Sequence, residues 1–169
     1  YGLNGKAYTI HFFIGVTDDE IGILSRHPNH VGSVYTFSSN LEPRSNAGCD
    51  NCEEQKASGV LSKAQIHITS VLLGHALNPG IHGISSLVPD DVKGYLTAQL
   101  NWRIVEAVSG RTVNINEELP NTKIFVMKGT ADHQPDDREL SRYRDYTPMW
   151  EPTHGKAGGG GANDGLVAQ

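Results

Sequence analysis

"KAYTIHFFIG" (residues 6–15) is the stretch of this sequence that decides the fold class. It is rich in aromatic and β-branched residues, which favour strands, and it ends at a glycine. Apolar side chains occupy both alternating faces of the stretch, a pattern typical of a strand that is covered on both sides. We therefore expect residues 6–15 to form a central strand of a sheet.

The rest of the sequence predicts further short strands separated by turns. Apolar and polar residues alternate over several windows, with the two-residue period of a half-buried strand. The tripeptide "SGR" separates two of these windows and predicts a tight turn. The predicted strands after the first lie within residues 31–39, 58–73, 99–108, 111–119 and 122–129.

One short helix is predicted, in "PDDVKGYLTAQ" (residues 89–99). Pro89 suits the first turn of a helix, and Asp90 and Asp91 favour the positive end of the helix dipole. Combined with the strand pattern, this predicts an all-β fold. We expect an antiparallel β-sandwich or barrel of about six to seven strands with one short helix.

The chain changes character at about residue 130. Residues 1–129 suit a single β domain that is long enough to bury its own core. Residues 130–169 are charged, interrupted by prolines and finally rich in glycine, so they carry little apolar area to offset their ordering entropy. We expect a flexible C-terminal tail over 130–169, extended or disordered, in which "YTPMW" is one stretch able to contact the body.

Charge and composition argue against several classes of partner. The formal net charge is −5 and basic residues occur without a basic run, so we expect no nucleic-acid partner. No apolar stretch approaches the ~20 residues of a membrane-spanning helix, so we expect no membrane partner. Two cysteines are too few for a secreted disulfide scaffold, which favours a cytoplasmic or other intracellular location.

The sequence offers no recognisable catalytic constellation. Eight histidines are scattered along the chain, and the only closely spaced pair, His27 and His30, is separated by residues that predict a turn. Motifs for a serine nucleophile, a phosphate-binding loop and a zinc protease are missing. We therefore predict no catalytic residue in this chain and expect most histidines to have structural or surface roles.

The two cysteines, Cys49 and Cys52, form a Cys-x-x-Cys motif in a loop rich in Gly, Asp and Asn. Zinc requires four ligands, and a thioredoxin-type redox motif requires a helix start beside parallel strands. Cu(I) accepts two thiolates, and the same two thiols can also close as a strained disulfide. Residue chemistry therefore leaves three readings open: capture of Cu(I), a labile disulfide, or no role.

Four motifs occur here in an order that resembles the C-terminal domain of fungal tyrosinases (polyphenol oxidases), over residues 1–129. The motifs are "YTIHFFIG", "NHVGSVYTF", "CDNC" and "LNWRIV". The resemblance implies a hemocyanin-like β-sandwich that packs over the type 3 dicopper site of a preceding catalytic domain. It also implies that an aromatic side chain blocks that site, that the Cys-x-x-Cys helps load copper, and that proteolysis removes the domain and activates the enzyme.

Carried over by position, the resemblance makes Phe37 the blocking residue, with Tyr35 as the fallback. The same comparison makes Cys49 and Cys52 transient Cu(I) ligands. The stretch between Phe37 and Cys49 is longer than the family pattern, which is one departure. On residue type alone, Phe37 is an ordinary core phenylalanine.

The expected function is therefore regulatory: the chain keeps a tyrosinase proenzyme latent and assists its copper loading. The histidines of the dicopper centre are not in this chain, so the oxidation of mono- and o-diphenols to o-quinones in pigment formation belongs to the parent protein. The implied partners are the tyrosinase catalytic domain and an activating protease. Two alternatives are a free-standing Cu(I) carrier for a separate apo-tyrosinase and a plain β-sandwich interaction module.

Overall fold

The computed structural model describes residues 3, 6–15, 24–36, 63–133, 135–136 and 138–164. Its strands are β1 (Tyr8–Ile14), β2 (His30–Tyr35), β3 (Leu100–Glu106), β4 (Val126–Asp132) and β5 (Arg142–Met149). Its α-helices are α1 (Thr69–Ala76), α2 (Pro79–His82), α3 (Pro89–Gln99) and α4 (Ile115–Glu118), and Leu24–Arg26 form a short 3-10 helix. The mostly-β class is confirmed, as two antiparallel sheets; within the described residues there is no closed barrel.

The first sheet has the strand order β2-β1-β3, so the strand predicted from residues 6–15 is central, as expected. Both neighbours run antiparallel to it, and Ile10 lies between Val34 and Ile104 in the register. The pairing of β1 with β2 shifts between Phe12 and Phe13, which marks a β-bulge. The second sheet is the antiparallel pair β4-β5.

Two clusters of buried apolar side chains form the core, and Trp102 of β3 packs against both. The first cluster contains Ile14, Leu72, Ile84, Val92, Leu96, Leu100, Val126 and Met149. The second contains Leu3, Ile10, Ile104, Val113, Ile115, Leu119 and Ile124. The first cluster draws on both sheets and on the helices between β2 and β3, so it joins the two halves of the chain.

The helix predicted at residues 89–99 is confirmed, with the same bounds. Pro89 occupies the first turn together with Asp90 and Asp91, as the capping signals indicated. Val92 and Leu96, four residues apart, are its buried side chains, so a narrow apolar stripe holds α3 against the core.

The strand predicted within residues 58–73 is wrong for the part that the structure describes. Residues 63–68 are irregular, and helix α1 follows. Ile68, Val71 and Leu72 all pack into the first core cluster, and their spacing of three and four residues is helical. The apolar–polar alternation that predicted a strand ends near Ile68, and the helical spacing of the packed residues begins there.

The returning strand predicted at residues 111–119 is also wrong, except for one bridge between Val105 and Thr112. The chain turns instead into helix α4. The Asn114 side-chain oxygen caps the start of this helix by accepting a hydrogen bond from the Asn116 amide at 3.2 Å. The Arg111 guanidinium donates two hydrogen bonds to the Glu118 carboxylate, at 2.9 and 2.7 Å. These polar contacts favour one turn of helix over a strand that pairs with β3 along its length.

The last predicted strand, at residues 122–129, is displaced along the chain. Strand β4 begins at Val126 and runs to Asp132, and before it Ile124 forms a single parallel bridge with Gly159. The boundary predicted at residue 129 therefore falls inside a strand.

The extended tail predicted from residue 130 is wrong for the described residues of that stretch. Strand β5 pairs with β4 over most of its length, and Met149 at its end joins the first core cluster. Pro152 and Thr153 are fully buried, and the Thr153 hydroxyl donates towards the carbonyl oxygens of Trp150 and Gly160. These few buried side chains offset the conformational entropy that the segment loses on ordering. The average composition of the segment did not reveal them.

The glycine run near the C-terminus packs tightly against the core. A Cβ atom at Gly160 would overlap the ring of Phe125, and one at Gly159 would overlap the Thr153 carbonyl. The glycines at these two positions therefore allow close approach of the backbone to its neighbours. The same residues that suggested flexibility in the sequence are required by packing.

Candidate functional site

The end of strand β2 is fixed to strand β1 immediately before the predicted blocking residue. The Thr36 hydroxyl donates to the Tyr8 carbonyl oxygen at 3.0 Å and accepts from the Tyr8 amide at 3.0 Å. The Thr36 amide donates to the same carbonyl oxygen at 2.9 Å. We call these three bonds the Thr36 clamp. They fix the backbone at Thr36, the residue that precedes Phe37 in the sequence.

Tyr35, the fallback blocking residue, is the last residue of β2 and lies opposite Thr9 in the register. It is 51% exposed, which is high for a large aromatic residue in a strand. Its side chain is therefore about half exposed, beside the clamp.

Phe37, Cys49 and Cys52 lie outside the described residues. The roles assigned to them stay predictions: an aromatic plug for the first, and transient Cu(I) binding for the two thiols. Of the four predicted site residues, the structure places Tyr35.

Sequence reasoning missed a pair of histidines that the sheet brings together. His11 lies in β1 and His30 begins β2, and His11 Nδ1 lies 3.3 Å from His30 Nε2. The two rings are 5.4 Å apart between centroids and tilted by 55°, so they meet at their edges. The bulge lies in β2, where Val31 is skipped, and it pairs His30 with Phe13, two residues from His11, which places both imidazoles on one face of the sheet.

The ring of Phe13 packs against this pair, and partial burial lowers the pKa of both imidazoles. Phe13 is fully buried and packs edge-on against His30 at 5.5 Å and His27 at 5.6 Å between centroids. Partial burial, and then the charge of His30, lower the pKa of His11. Partial burial, and then His27, lower the pKa of His30. Neutral imidazoles are the form that binds metal ions.

A second histidine pair lies between helices α1 and α2. His75 and His82 are stacked, with centroids 3.9 Å apart and an angle of 11° between the rings. The Tyr95 hydroxyl of α3 lies 2.9 Å from His75 Nδ1. Partial burial, and then His82, lower the pKa of His75, and partial burial raises the pKa of Tyr95. This cluster fastens the short helices to α3.

Neither pair carries a recognisable sequence signal. The two members of the first pair are 19 residues apart, so only the register of two strands and a bulge brings them together. Within the described ranges, no group of three or more His, Cys, Asp or Glu side chains is arranged to hold a metal ion. The candidate functional groups in the described residues are thus two pairs of imidazoles and the exposed aromatic ring of Tyr35.

The Trp102 motif has a structural role that the sequence did not reveal. The Trp102 indole Nε1 donates to the Ala157 carbonyl oxygen at 2.9 Å. The Lys156 ammonium donates to the carbonyl oxygens of Thr97 and Leu100, at 2.9 and 2.6 Å, and partial burial lowers its pKa. These bonds connect the C-terminal segment (residues 142–164) to β3 and to the end of α3.

None of the helices in the described parts of the chain has the length and apolar character that crossing a bilayer requires.

Comparison with known proteins gives the family. The model of the tyrosinase C-terminal domain matches residues 1–126. A tyrosinase of Aspergillus fumigatus is 35% identical over 109 residues, which is 62% of this chain and 16% of that protein. A tyrosinase of Neurospora crassa is 28% identical over 161 residues, which is 95% of this chain and 22% of that protein. No solved structure matches significantly.

The chain therefore spans about a sixth to a fifth of the length of these curated relatives. With 95% of the chain aligned, the Neurospora match extends beyond residue 126 into the segment that carries β5 and the glycine run. That segment thus has a counterpart in a fungal tyrosinase, in agreement with its packing onto β3. The family match covers most of the chain, and the chain belongs to the tyrosinase C-terminal domain family.

Proposed function

We propose that this chain is the regulatory C-terminal domain of a fungal tyrosinase. In this proposal it covers the dicopper site of the catalytic domain of its parent, keeps the proenzyme latent and assists copper loading. The parent oxidises mono- and o-diphenols to o-quinones, the first step of pigment formation. The observation that carries the proposal is the match of residues 1–126 to the tyrosinase C-terminal domain.

The Thr36 clamp supports Phe37 as the plug. A side chain that blocks a pocket binds best from a fixed backbone position, because a mobile backbone loses conformational entropy when the side chain enters the pocket. Three hydrogen bonds to Tyr8 supply that fixed position one residue before Phe37. Tyr35 beside them is exposed and offers a second aromatic ring.

The plug acts through local concentration. A ring tethered to the same chain competes with free phenol at an effective concentration of roughly millimolar for a short linker. Burial of one aromatic side chain contributes only about 1.5–3 kcal/mol, so the surface around the ring has to supply the rest of the hold. Cleavage of the connection turns this contact into a dissociable one, which explains activation by a protease.

The structure changes where an activating cut is expected. An unstructured tail from residue 130 would be a natural protease target. Strand β5 and the buried residues Pro152 and Thr153 make much of that segment a poor substrate. The proposal therefore places the activating cut away from β5 and the packed turn that follows it.

Copper delivery is assigned to Cys49 and Cys52. Two thiolates suffice to hold Cu(I), and two-coordinate binding leaves the ion open to transfer to a histidine-rich site. This role requires reduced thiols, which fits the cytoplasmic or intracellular location proposed from the cysteine content.

Inhibition in trans tests the plug. A tyrosinase catalytic domain from which this region has been removed is mixed with the chain, and catechol oxidation is followed. The wild-type chain should inhibit, and Phe37→Ala should inhibit much less. Thr36→Val, which removes the clamp hydroxyl, should weaken inhibition, whereas Thr36→Ser should preserve it. Equal inhibition by wild type and Phe37→Ala would remove Phe37 from this role and turn attention to Tyr35→Ala.

Cu(I) binding separates the two alternatives from this proposal. A free-standing Cu(I) carrier should take up Cu(I) through its thiols but should not inhibit the trimmed enzyme. A plain interaction module should do neither. If the double substitution of Cys49 and Cys52 by Ser leaves Cu(I) uptake unchanged, the thiols are not the carriers.

A further inference from the structure

We propose that His11 and His30 form a two-histidine site for a divalent transition-metal ion, with Cu²⁺ bound most tightly. This site is distinct from the Cys-x-x-Cys and does not depend on it. It goes beyond the proposed plug and thiol functions, because it rests on two imidazoles of the three-stranded sheet.

The separation of the facing nitrogens fits a shared ion. Two nitrogen ligands at about 2.0–2.1 Å from an ion lie about 3.3–3.4 Å from each other in tetrahedral geometry, and about 2.8–3.0 Å from each other in the square-planar geometry that Cu²⁺ prefers. His11 Nδ1 and His30 Nε2 are 3.3 Å apart. In the present contact one of these two nitrogens donates to the other, so ion binding requires that proton to move to the second nitrogen of its ring and both rings to turn towards the ion.

The pair is held in place before any ion arrives. His11 and His30 are on paired strands, and the buried Phe13 ring packs against His30. His27 is excluded as a third ligand through its Nδ1, which accepts a hydrogen bond from the Asn29 amide at 3.0 Å. The remaining coordination positions are left to water or to a side chain of a partner.

The ligand type selects the kind of ion. Hard cations such as Ca²⁺ and Mg²⁺ need oxygen ligands, whereas this pair offers imidazole nitrogens and the register neighbour of His11 on β3 is Arg103, which is no cation ligand. Neutral imidazoles suit Cu²⁺, Zn²⁺ and Ni²⁺, and among divalent ions Cu²⁺ binds most tightly to a given set of nitrogen ligands. Partial burial lowers the pKa of both imidazoles, which favours the neutral form that binds metal ions.

The second histidine pair has the wrong geometry for this role and serves as the control. His75 and His82 are stacked face to face, so their in-plane lone pairs do not converge. His75 Nδ1 also contacts the Tyr95 hydroxyl. Two pairs of the same residue type thus differ in the one property that binding requires.

Titration with Cu²⁺ alone tests the site, using the full chain in which Cys49 and Cys52 are both replaced by Ser. Removing the thiols makes the outcome independent of whether they carry copper. We expect tight binding of one Cu²⁺ and an electron paramagnetic resonance spectrum with imidazole nitrogen coupling. His11→Gln and His30→Gln should each weaken binding by more than about tenfold, while His82→Gln should leave it unchanged.

A second measurement needs no substitution of the histidines. Substoichiometric Cu²⁺ should broaden the imidazole nuclear magnetic resonance signals of His11 and His30 first, because a paramagnetic ion acts on its own ligands. Acidification should release the ion as the imidazoles are protonated. Equal affinity of His11→Gln and its parent, or broadening spread evenly over all histidines, would overturn the site.

Discussion

The three-stranded sheet and the C-terminal segment (residues 142–164) are ordered by different features of the sequence. The sheet follows the alternation of its sequence: β1 is central, apolar and paired on both sides. The C-terminal segment has no such pattern, yet Met149, Pro152 and Thr153 are buried. A segment poor in apolar residues can therefore be ordered when a few of them reach the core and its glycines fit closely against their neighbours.

Removal of the C-terminal segment should have the largest effect. A chain that ends at residue 141 loses β5, the Trp102 and Lys156 contacts to the segment, and the buried Met149. Core truncations of this kind exceed the few kcal/mol that a single side chain contributes. We expect loss of the cooperative thermal transition in circular dichroism, whereas an unchanged transition would show that the segment is an appendage after all.

A single methyl group in the glycine run should have the next largest effect. Gly160→Ala places a Cβ against the Phe125 ring, and overpacking of this kind costs about 1–3 kcal/mol. The matched control is Gly94→Ala in helix α3, where a Cβ meets open space. That change should stabilise the chain by about 0.4–1 kcal/mol. Urea unfolding measures both, and similar small effects would mean that the glycine run is not closely packed.

The ion-pair network at the end of β3 should give the smallest effect, visible in acid. The Arg111 guanidinium, and then the Asn114 amide, lower the pKa of Glu118 from 4.5 to about 2. Because this pKa is lower in the folded state, the network stabilises the fold fully above about pH 4.5 and loses its contribution as the pH falls towards 2. Lys6 and Arg111 lower the pKa of the Glu106 carboxyl in the same direction.

The melting temperature measured between pH 7 and pH 2 tests this assignment. Glu118→Gln should reduce the fall in melting temperature over the acidic part of that range. A variant whose acid profile overlays that of the wild type would show that other carboxyl groups govern acid stability.

The sequence predicted those elements whose signal is local. Strand β1 and helix α3 were predicted correctly, because alternation and helix-start residues are read within one element. The segments at 63–68 and 111–119 were mispredicted as strands, because alternation cannot show whether a sheet edge is available. There, helical packing of Leu72 and capping by Asn114 decided the outcome.

The candidate site shows the same division. Phe37, Cys49 and Cys52 were assigned through resemblance in linear motifs, and their roles stay predictions. The pairing of His11 with His30 was missed, because it depends on a strand register and on the bulge beside Phe13. A non-local contact between residues on different strands leaves no trace in a single sequence.

The proposed restraint of the active centre of another domain is tested by the rate of catechol oxidation by a trimmed tyrosinase catalytic domain, measured against rising concentrations of the wild-type chain. We expect saturable inhibition that competes with catechol, together with no oxidation by the chain alone in the presence of copper. An unchanged rate at a saturating concentration of the chain, or quinone formation by the chain itself, would contradict the proposal.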